Sequence, residues 1–257
     1  TPEGATWEAA PGLPNVYITM LQTAENVAQF MAVSREEQDE FAALSQQRAE
    51  AAQKAGFFAE EIVPVTTPSG TVVDSDDCPR HGTTAEKLAG LKPVLIEQMG
   101  ARATVTAGNA CPLNDGAAAV IVMSDSRARE LGIKPLARIV STGVSALNPE
   151  IMGLGPVEAS KQALGRAGLG IQDIDLVEIN EAFAAQVIPS ARELGIPVDK
   201  LNVYGVAIAL GHPFGQTGAR IMTTLIHNLR SSGGRYGLET MCVGGGQGMA
   251  AVIERLD

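Results

Sequence analysis

From about residue 115 onward, segments with the pattern of β-strands alternate with segments with the pattern of α-helices. The sequence predicts strands at 119–123, 137–142, 176–179, 237–243 and 249–254. It predicts helices at 124–132, 156–168, 182–194 and 218–229. Strands that alternate with helices fold as layers, with the helices packed on a sheet. This part of the chain is therefore expected to be an α/β fold.

The stretch before residue 115 is richer in loops. Ser34 and Glu37 have the spacing of a capping box, which predicts a helix that runs from there to Lys54. Two short strands are predicted at 62–65 and 71–73, joined by a turn. A further helix is predicted at 84–98, broken near Pro93. At 257 residues the chain has the length of one or two domains, and we divide it into a loop domain, 1–114, and an α/β domain, 115–257.

The charge of the chain excludes several functions. The net charge is −10, whereas a nucleic-acid-binding protein needs a basic face to meet phosphates. No apolar run approaches the roughly 20 residues that span a bilayer. The three cysteines form neither a disulfide framework nor a metal-binding CxxC pair. We therefore expect a cytoplasmic protein with no nucleic-acid partner, no membrane contact and no metal.

Three short clusters contain residues that are capable of chemistry. The first, at 180–184, reads NEAFA and directly follows a predicted strand. The carboxyl end of a strand faces the usual ligand crevice of an α/β sheet, where Asn180 can hold a water molecule or an oxygen atom. The alternative is that Asn180 caps the following helix, because Asn is among the best N-cap residues. The cluster alone leaves both interpretations open.

The second cluster, at 205–218, places His212 before a proline and between glycines. Histidine offers a proton that its surroundings can tune, and the glycines let backbone and ligand approach closely. The alternative is a histidine with satisfied hydrogen bonds in a tight turn that leads into a helix. On its own, the cluster does not choose between the two.

The third cluster, at 242–248, reads CVGGGQG. Cys242 at a strand end can act as a thiolate base or a nucleophile, and the neighbouring glycines leave N–H groups available for an oxyanion hole. The alternative is an inert, buried cysteine beside a β-bulge. No Lys-Ser or Lys-Thr pair follows the glycines, so they are not a phosphate-binding loop.

Taken together, the clusters resemble those of the thiolase family, which comprises acetyl-CoA acetyltransferases and 3-ketoacyl-CoA thiolases. The resemblance covers nearly the whole chain. Its motifs are TAENVA at 23–28, SREEQD at 34–39, AGNA at 107–110, LNDGAAA at 113–119, NEAFA at 180–184, GHPFGQTGAR at 211–220 and CVGGGQG at 242–248. It implies a layered αβαβα fold of two similar halves, of which this chain would hold the loop domain, the end of the first half and the second half.

The resemblance also implies an acyltransferase that cleaves 3-ketoacyl-CoA with CoA, or runs the reverse Claisen condensation. His212 would activate a nucleophilic cysteine and donate to the thioester oxygen, and Asn180 would hold a water molecule in the oxyanion hole of the enolate. Cys242 would exchange a proton with the α-carbon, and the N–H group of Gly244 would serve the oxyanion of the acyl-enzyme. CoA would be a substrate, so no separate cofactor is expected.

Further residues match the segments of the family that contact acyl-CoA, and complete members of the family are homodimers or homotetramers. The binding residues implied are Met20, Arg80, Ala110, Cys111, Ala182 and Phe183. Cys111 stands where a small serine is common in the tunnel that holds CoA.

This sequence departs from the family pattern by lacking the segment that carries the nucleophilic cysteine in the N-terminal third. We therefore expect the 257 residues alone to have no thiolase turnover. The alternative function is a non-catalytic subunit that binds acyl-CoA or docks on a partner. An uncovered helix layer and sheet edge would also make the isolated chain associate or aggregate.

A second departure is Val206, where the family usually has glycine. A β-branched residue would be strained there if the backbone needs a positive φ, and would simply fill space if φ is ordinary. The sequence leaves this open.

Overall fold

The structure, a computed structural model, describes residues 12–256. Its α-helices are α1 (Met20–Phe30), α2 (Arg35–Lys54), α3 (Ala85–Ala89), α4 (Ile96–Met99), α5 (Asp125–Glu130), α6 (Gly155–Ala167), α7 (Ala184–Leu194), α8 (Ala207–Leu210) and α9 (Thr217–Ser232). Its strands are β1 (Val65–Thr66), β2 (Val72–Val73), β3 (Ala137–Ala146), β4 (Leu176–Ile179), β5 (Tyr236–Val243) and β6 (Gln247–Arg255).

The second part of the chain is built around one mixed sheet. The strand order is β3-β6-β5-β4, in which β4 is parallel to β5 and the other neighbours are antiparallel. Because side chains alternate along a strand, Val177 packs towards α6 and α7 while Leu176 packs towards α9. The sheet is therefore covered by helices on both faces, and the predicted α/β class is confirmed. The division of the chain at residue 114 stays a prediction.

The predicted helix in the first part is confirmed with its capping box. The Ser34 hydroxyl accepts a hydrogen bond from the Glu37 amide at 3.1 Å, and the Glu37 carboxylate accepts one from the Ser34 amide at 2.8 Å. Helix α2 then packs on α3, α7 and α8. It thereby joins the loop-rich part to two helices of the second part, α7 and α8.

Most of the predicted elements in the second part are confirmed with small shifts in their bounds. Strand β4 has the predicted bounds, and β3 is four residues longer than predicted. Helix α6 includes Pro156 in its first turn and ends at Gly168, whose φ of 68° is the left-handed conformation that glycine tolerates best. In the first part, β1 and β2 pair as a short hairpin, and α3 and α4 lie on either side of Pro93.

The prediction of a buried strand at 119–123 is wrong. Residues 111–124 have no regular secondary structure, and the side chains of Ile121 and Val122 are 87% and 72% exposed. A strand needs a neighbour for its backbone hydrogen bonds, and no strand in the described residues pairs with this one. We call the exposed residues Val120, Ile121 and Val122 the apolar strip.

Val206 has a negative φ. Its φ is −132°, so the β-branched side chain is not forced into the left-handed region. The side chain is fully buried and packs with Ala207 and Ile221. Of the two possibilities left open by the sequence, the structure therefore supports the one in which valine fills space.

We predict that the apolar strip drives self-association of the chain. Ile121→Lys should shift sedimentation towards smaller species, because a charge in a contiguous exposed apolar segment opposes its burial between molecules. Its effect on the free energy of unfolding should stay within about 0.5 kcal/mol, as is usual for exposed positions. Val63→Lys changes a residue that is 80% exposed outside the strip and serves as the control. Equal effects of the two substitutions would contradict the prediction.

Candidate active site

Asn180 lies at the carboxyl end of β4 and is fully buried. Its amide N–H donates to the carbonyl of Thr240 on β5 at 3.0 Å, which extends the parallel pairing by one residue. The N-cap of the following helix is Phe183, three residues later. The capping interpretation of Asn180 is therefore wrong, and its side chain is available for another contact.

That contact is with His212. Asn180 Nδ2 lies 3.2 Å from His212 Nε2, and His212 Nδ1 lies 2.6 Å from the hydroxyl of Thr217. The Thr217 hydroxyl donates to the carbonyl of Pro213 at 3.0 Å, so it accepts from Nδ1–H. The network assigns the proton of the ring to Nδ1. Nε2 is then unprotonated, and its lone pair accepts a hydrogen bond from the Asn180 amide.

The ring of His212 is held neutral. Burial, together with the nearby charge of Arg220, lowers its pKa to about 4. At neutral pH the imidazole is therefore a proton acceptor at Nε2. Both ring nitrogens have partners, as the alternative of a loop histidine with satisfied hydrogen bonds also requires, so that alternative stays open.

The backbone of His212 is fixed by a residue that the sequence reasoning missed. The His212 amide donates to Asn114 Oδ1 at 3.0 Å. Gly211 has a φ of 89°, and a Cβ atom there would lie 2.3 Å from the Asn114 side chain, so only glycine fits. Asn114 and Thr217 were not among the predicted site residues. Both lie inside motifs that resemble the thiolase family, and those motifs were the signal that could have identified them.

Cys242 lies near the end of β5, opposite Gly248 of β6, and is 8% exposed. It packs against Met152, Ala182 and Phe183. Burial, with a smaller contribution from Cys111, raises its pKa to about 12. The thiol is therefore protonated at neutral pH, and it is a proton donor rather than a resting thiolate.

The strand ends in a tight glycine turn. Gly245 and Gly246 have positive φ angles of 83° and 89°, and Gly246 accepts at its carbonyl from the Leu147 amide at 2.8 Å. A Cβ atom on Gly244 would meet no atom within 4 Å. The space on the Cβ side of Gly244 is therefore open.

The segment that contains Ala110 and Cys111 runs beside the same site. Ala110 forms an antiparallel bridge with Phe183, and the Cys111 amide donates to the Ala182 carbonyl at 3.0 Å. Asn109 anchors the segment, since its Nδ2 donates to Asp39 Oδ1 at 2.9 Å. Burial raises the pKa of Cys111 to about 11.

The other two predicted binding residues lie further out. Arg80 and Ala110 line one cavity together with Gly108 and Pro112. Met20 begins α1 with its side chain 37% exposed. The next residue, Leu21, packs in the cluster that also contacts Ala110 and Phe183. The structure thus brings Asn180, His212, Cys242, Ala110, Cys111, Ala182 and Phe183 to one region, and it places Arg80 and Met20 towards its periphery.

A cluster of buried acidic side chains lies between the sheet and α9. Glu178 and Glu239 are paired across β4 and β5, and burial raises the pKa of each to about 8. Glu61 accepts from the Thr224 hydroxyl at 2.8 Å, and burial raises its pKa to about 7. Arg220 lowers the pKa of all three carboxyls. This positive charge therefore acts on the acidic cluster and on His212 together.

Two features are absent from the part of the chain that the structure describes. Residues 12–256 contain no group of three or more His, Cys, Asp or Glu side chains arranged to hold a metal ion. In the same range, no helix combines the length and the apolar character needed to cross a membrane.

The sequence matches two family models along most of its length. "Thiolase, N-terminal domain" matches residues 11–126, and "Thiolase, C-terminal domain" matches residues 133–255. The chain belongs to the thiolase family. The resemblance inferred from the motifs is confirmed.

Similar proteins include several named members of this family. An acetyl-CoA acetyltransferase of Allochromatium vinosum is 49% identical over 238 residues, which cover 91% of this chain and 59% of that protein. A beta-ketoadipyl-CoA thiolase of Pseudomonas aeruginosa is 52% identical over 242 residues, with coverage of 92% and 59%. The chain thus spans about three fifths of the length of these relatives.

Solved structures confirm the layered thiolase fold. The Bacillus anthracis acetyl-CoA acetyltransferase superimposes with a TM-score of 0.89 and 46% identity, covering 93% of this chain and 60% of that one. Human mitochondrial 3-ketoacyl-CoA thiolase in complex with CoA gives 0.86 and 45%, with coverage of 94% and 60%.

We predict that Thr217→Val removes the tautomer preference of His212. The Nδ1–H group would lose its acceptor, and a buried donor without a partner costs about 1–3 kcal/mol. The proton should therefore redistribute towards Nε2, with the Asn180 amide turning its oxygen to that nitrogen. ¹⁵N NMR of the ring nitrogens measures this directly, since the chain has three histidines. Thr223→Val is the control, because the Thr223 hydroxyl donates only within α9, to the Ala219 carbonyl. An unchanged pair of His212 nitrogen shifts in Thr217→Val would contradict the assignment.

We also predict that Glu178→Gln stabilises the chain at alkaline pH. The pKa of this carboxyl is about 8 in the folded state and about 4.5 when unfolded, so the folded state loses stability as pH rises between these values. The melting temperature of the variant should exceed that of the parent by several degrees at about pH 9, and the gap should shrink towards about pH 5. Glu158→Gln, at an exposed position of α6, should show no such dependence. A gap that does not vary with pH would refute the prediction.

Proposed function

We propose that this chain carries the acid–base part of a thiolase active site, in a protein that transfers acyl groups between CoA thioesters. The reaction is the thiolytic cleavage of 3-ketoacyl-CoA or the reverse Claisen condensation. The observation that carries the proposal is the contact of 3.2 Å between Asn180 Nδ2 and His212 Nε2. It places an amide donor and an unprotonated imidazole nitrogen at the sheet edge where Cys242 also lies.

His212 has the protonation state that the reaction needs. A neutral imidazole at neutral pH takes the proton of an attacking thiol and afterwards donates it to an oxygen that gains charge. Asn180, which is fully buried, supplies a polar group next to Nε2 that can hold a water molecule for the enolate oxyanion. The backbone N–H of Gly244 is the donor proposed for the oxyanion of the acyl-enzyme.

Cys242 has the protonation state required by the cleavage direction. When the bond between the α- and β-carbons breaks, its electron pair passes to the thioester enolate. The S–H group of Cys242 then delivers a proton to the α-carbon and remains as a thiolate. The raised pKa, about 12, keeps the proton on sulfur until that step. In condensation the proton moves in the opposite direction, from the α-carbon to the thiolate form of Cys242.

The acyl-CoA substrate is proposed to run along the segment that contains Ala110 and Cys111, beside Ala182 and Phe183. The cavity shared by Ala110 and Arg80 extends this path towards the surface, where the Arg80 guanidinium can meet a phosphate. Met20 would border the same ligand from α1. CoA is a substrate here, and the proposal needs no separate cofactor.

We further propose that these 257 residues do not turn over by themselves. The chain has three cysteines, and Cys111 and Cys242 both have raised pKa values, which makes them poor nucleophiles at neutral pH. Cys78 is a half-buried residue whose pKa is also raised, by burial and then by Asp77. The acyl-accepting cysteine would come from additional polypeptide. A cytoplasmic homodimer or homotetramer remains part of the proposal.

A second candidate function is a non-catalytic subunit that binds acyl-CoA and docks on a partner. The exposed apolar strip favours it, because an apolar surface of this kind calls for a covering surface. The two candidates differ in one measurable property, the proton exchange at the α-carbon.

The test is exchange of the α-protons of acetyl-CoA in deuterated water, which needs an acid–base group and an oxyanion hole but no acyl transfer. We expect the chain to bind CoA and to accelerate exchange without thiolysis. His212→Gln and Cys242→Ala should each slow exchange by roughly 10²-fold or more, typical of losing an oxyanion donor or a general acid–base group. His227→Gln, on the distal half of α9, is the control and should leave the rate unchanged. CoA binding without exchange would instead select the non-catalytic function.

A further inference from the structure

Glu181 is a fully buried carboxylate directly after Asn180 in the chain. It accepts three hydrogen bonds from three separate parts of the fold. The Ser45 hydroxyl of α2 donates to Oε2 at 2.6 Å, the Ile208 amide of α8 donates to Oε2 at 3.1 Å, and Asn202 Nδ2 donates to Oε1 at 2.9 Å. A buried carboxylate is expensive unless it is well bonded, so these donors are needed for the fold.

Asn202 connects this carboxylate to the end of β4. Its side chain accepts from the Ile179 amide at 2.8 Å and donates to the Ile179 carbonyl at 2.9 Å. Its φ of 48° is one that asparagine tolerates better than most residues. Asn202 therefore fixes Ile179, the residue before Asn180, and Glu181, the residue after it.

At its other oxygen, Glu181 fixes the start of α8. This helix has four residues, and its N-cap, Val206, has no side-chain group that could accept from the first amides. Glu181 accepts from the Ile208 amide, and the Ser45 hydroxyl accepts from the Val206 amide at 3.4 Å. The residue that follows α8 is Gly211, and the next is His212.

We propose that Glu181 is a positioning residue that sets the Asn180 and His212 side chains relative to one another, through the Asn202 amide on one side and the Ile208 amide of α8 on the other. This inference rests on the proposed function, in which the Asn180–His212 pair is part of the site. Glu181 itself touches no reacting group. Glu181 can act in this way because α8 is too short to hold its own position. The last residue of α8 is two positions before His212, so a shift of the helix also moves the histidine.

The test is the ¹⁵N NMR spectrum of the histidine rings in Glu181→Gln. The Gln amide has one acceptor oxygen where the carboxylate has two, so either Asn202 or Ile208 would face an NH₂ group. We expect the His212 nitrogen shifts to move towards a mixture of tautomers and the pKa of His212 to rise towards its ordinary value. His81 and His227 should keep their shifts.

Glu178→Gln is the matched control, since Glu178 is also a fully buried glutamate, three residues earlier on β4. It should leave the His212 tautomer unchanged at neutral pH. If Glu181→Gln does not fold, Ser45→Ala removes one of the three donors and keeps the carboxylate. That variant should move the His212 shifts in the same direction by a smaller amount.

A folded Glu181→Gln chain with unchanged His212 shifts would overturn the proposal, as would equal changes in Glu178→Gln. The NMR readout does not depend on turnover. If α-proton exchange is absent in the parent chain while His212 responds to Glu181→Gln, the positioning role stands and the proposed function fails. If exchange is present and the His212 shifts do not respond to Glu181→Gln, the proposed function stands and the positioning role fails.

Discussion

The parallel pairing of β4 with β5 is the constraint on which the candidate site depends. Parallel neighbours end at the same edge of a sheet, so Asn180 after β4 and Cys242 at the end of β5 come to the same edge without any further interaction. The strands are buried by helices on both faces, and their polar residues can only be accommodated where they meet other polar groups. His212 arrives at this edge because α8 and α9 are connected there. The ends of β4 and β5 therefore determine which residues come together in the site.

Burial dominates the electrostatics of this edge. It lowers the pKa of His212 to about 4 and raises the pKa of Cys242 to about 12, so the base and the acid are both neutral at rest. Arg220 contributes one positive charge near His212. Arg220 also acts on the cluster of buried acidic side chains, whose pKa values are raised by burial. A neutral site of this kind favours reactions in which charge develops on the substrate, since fixed dipoles then act at low dielectric.

The sequence predicted most of the helices and strands well because their signals are local. The capping box at Ser34, the glycine at 168 and the short apolar run of β4 are each recognisable within a few residues. The strand at 119–123 was predicted from the same kind of local pattern and is wrong. An apolar run specifies only that a strand can form there, whereas a strand also needs a partner, and pairing is a property of the whole fold. The exposed strip shows what such a run looks like when the described residues supply no partner.

The site shows the same division between local and long-range signals. Asn180, His212 and Cys242 were found because they lie in compact motifs, whereas the residues that hold them in place are distant in sequence. Asn114 bonds to the His212 amide across 98 positions, and Ser45 bonds to Glu181 across 136. A hydrogen bond of this range has no periodicity or spacing by which one sequence could reveal it. It exists because α2 packs on α7 and α8, and that packing follows from buried alanines such as Ala42 and Ala43 that allow close approach. The small residues of α2, which have no chemistry of their own, thus allow Ser45 to reach Glu181 and the loop of His212 to be held.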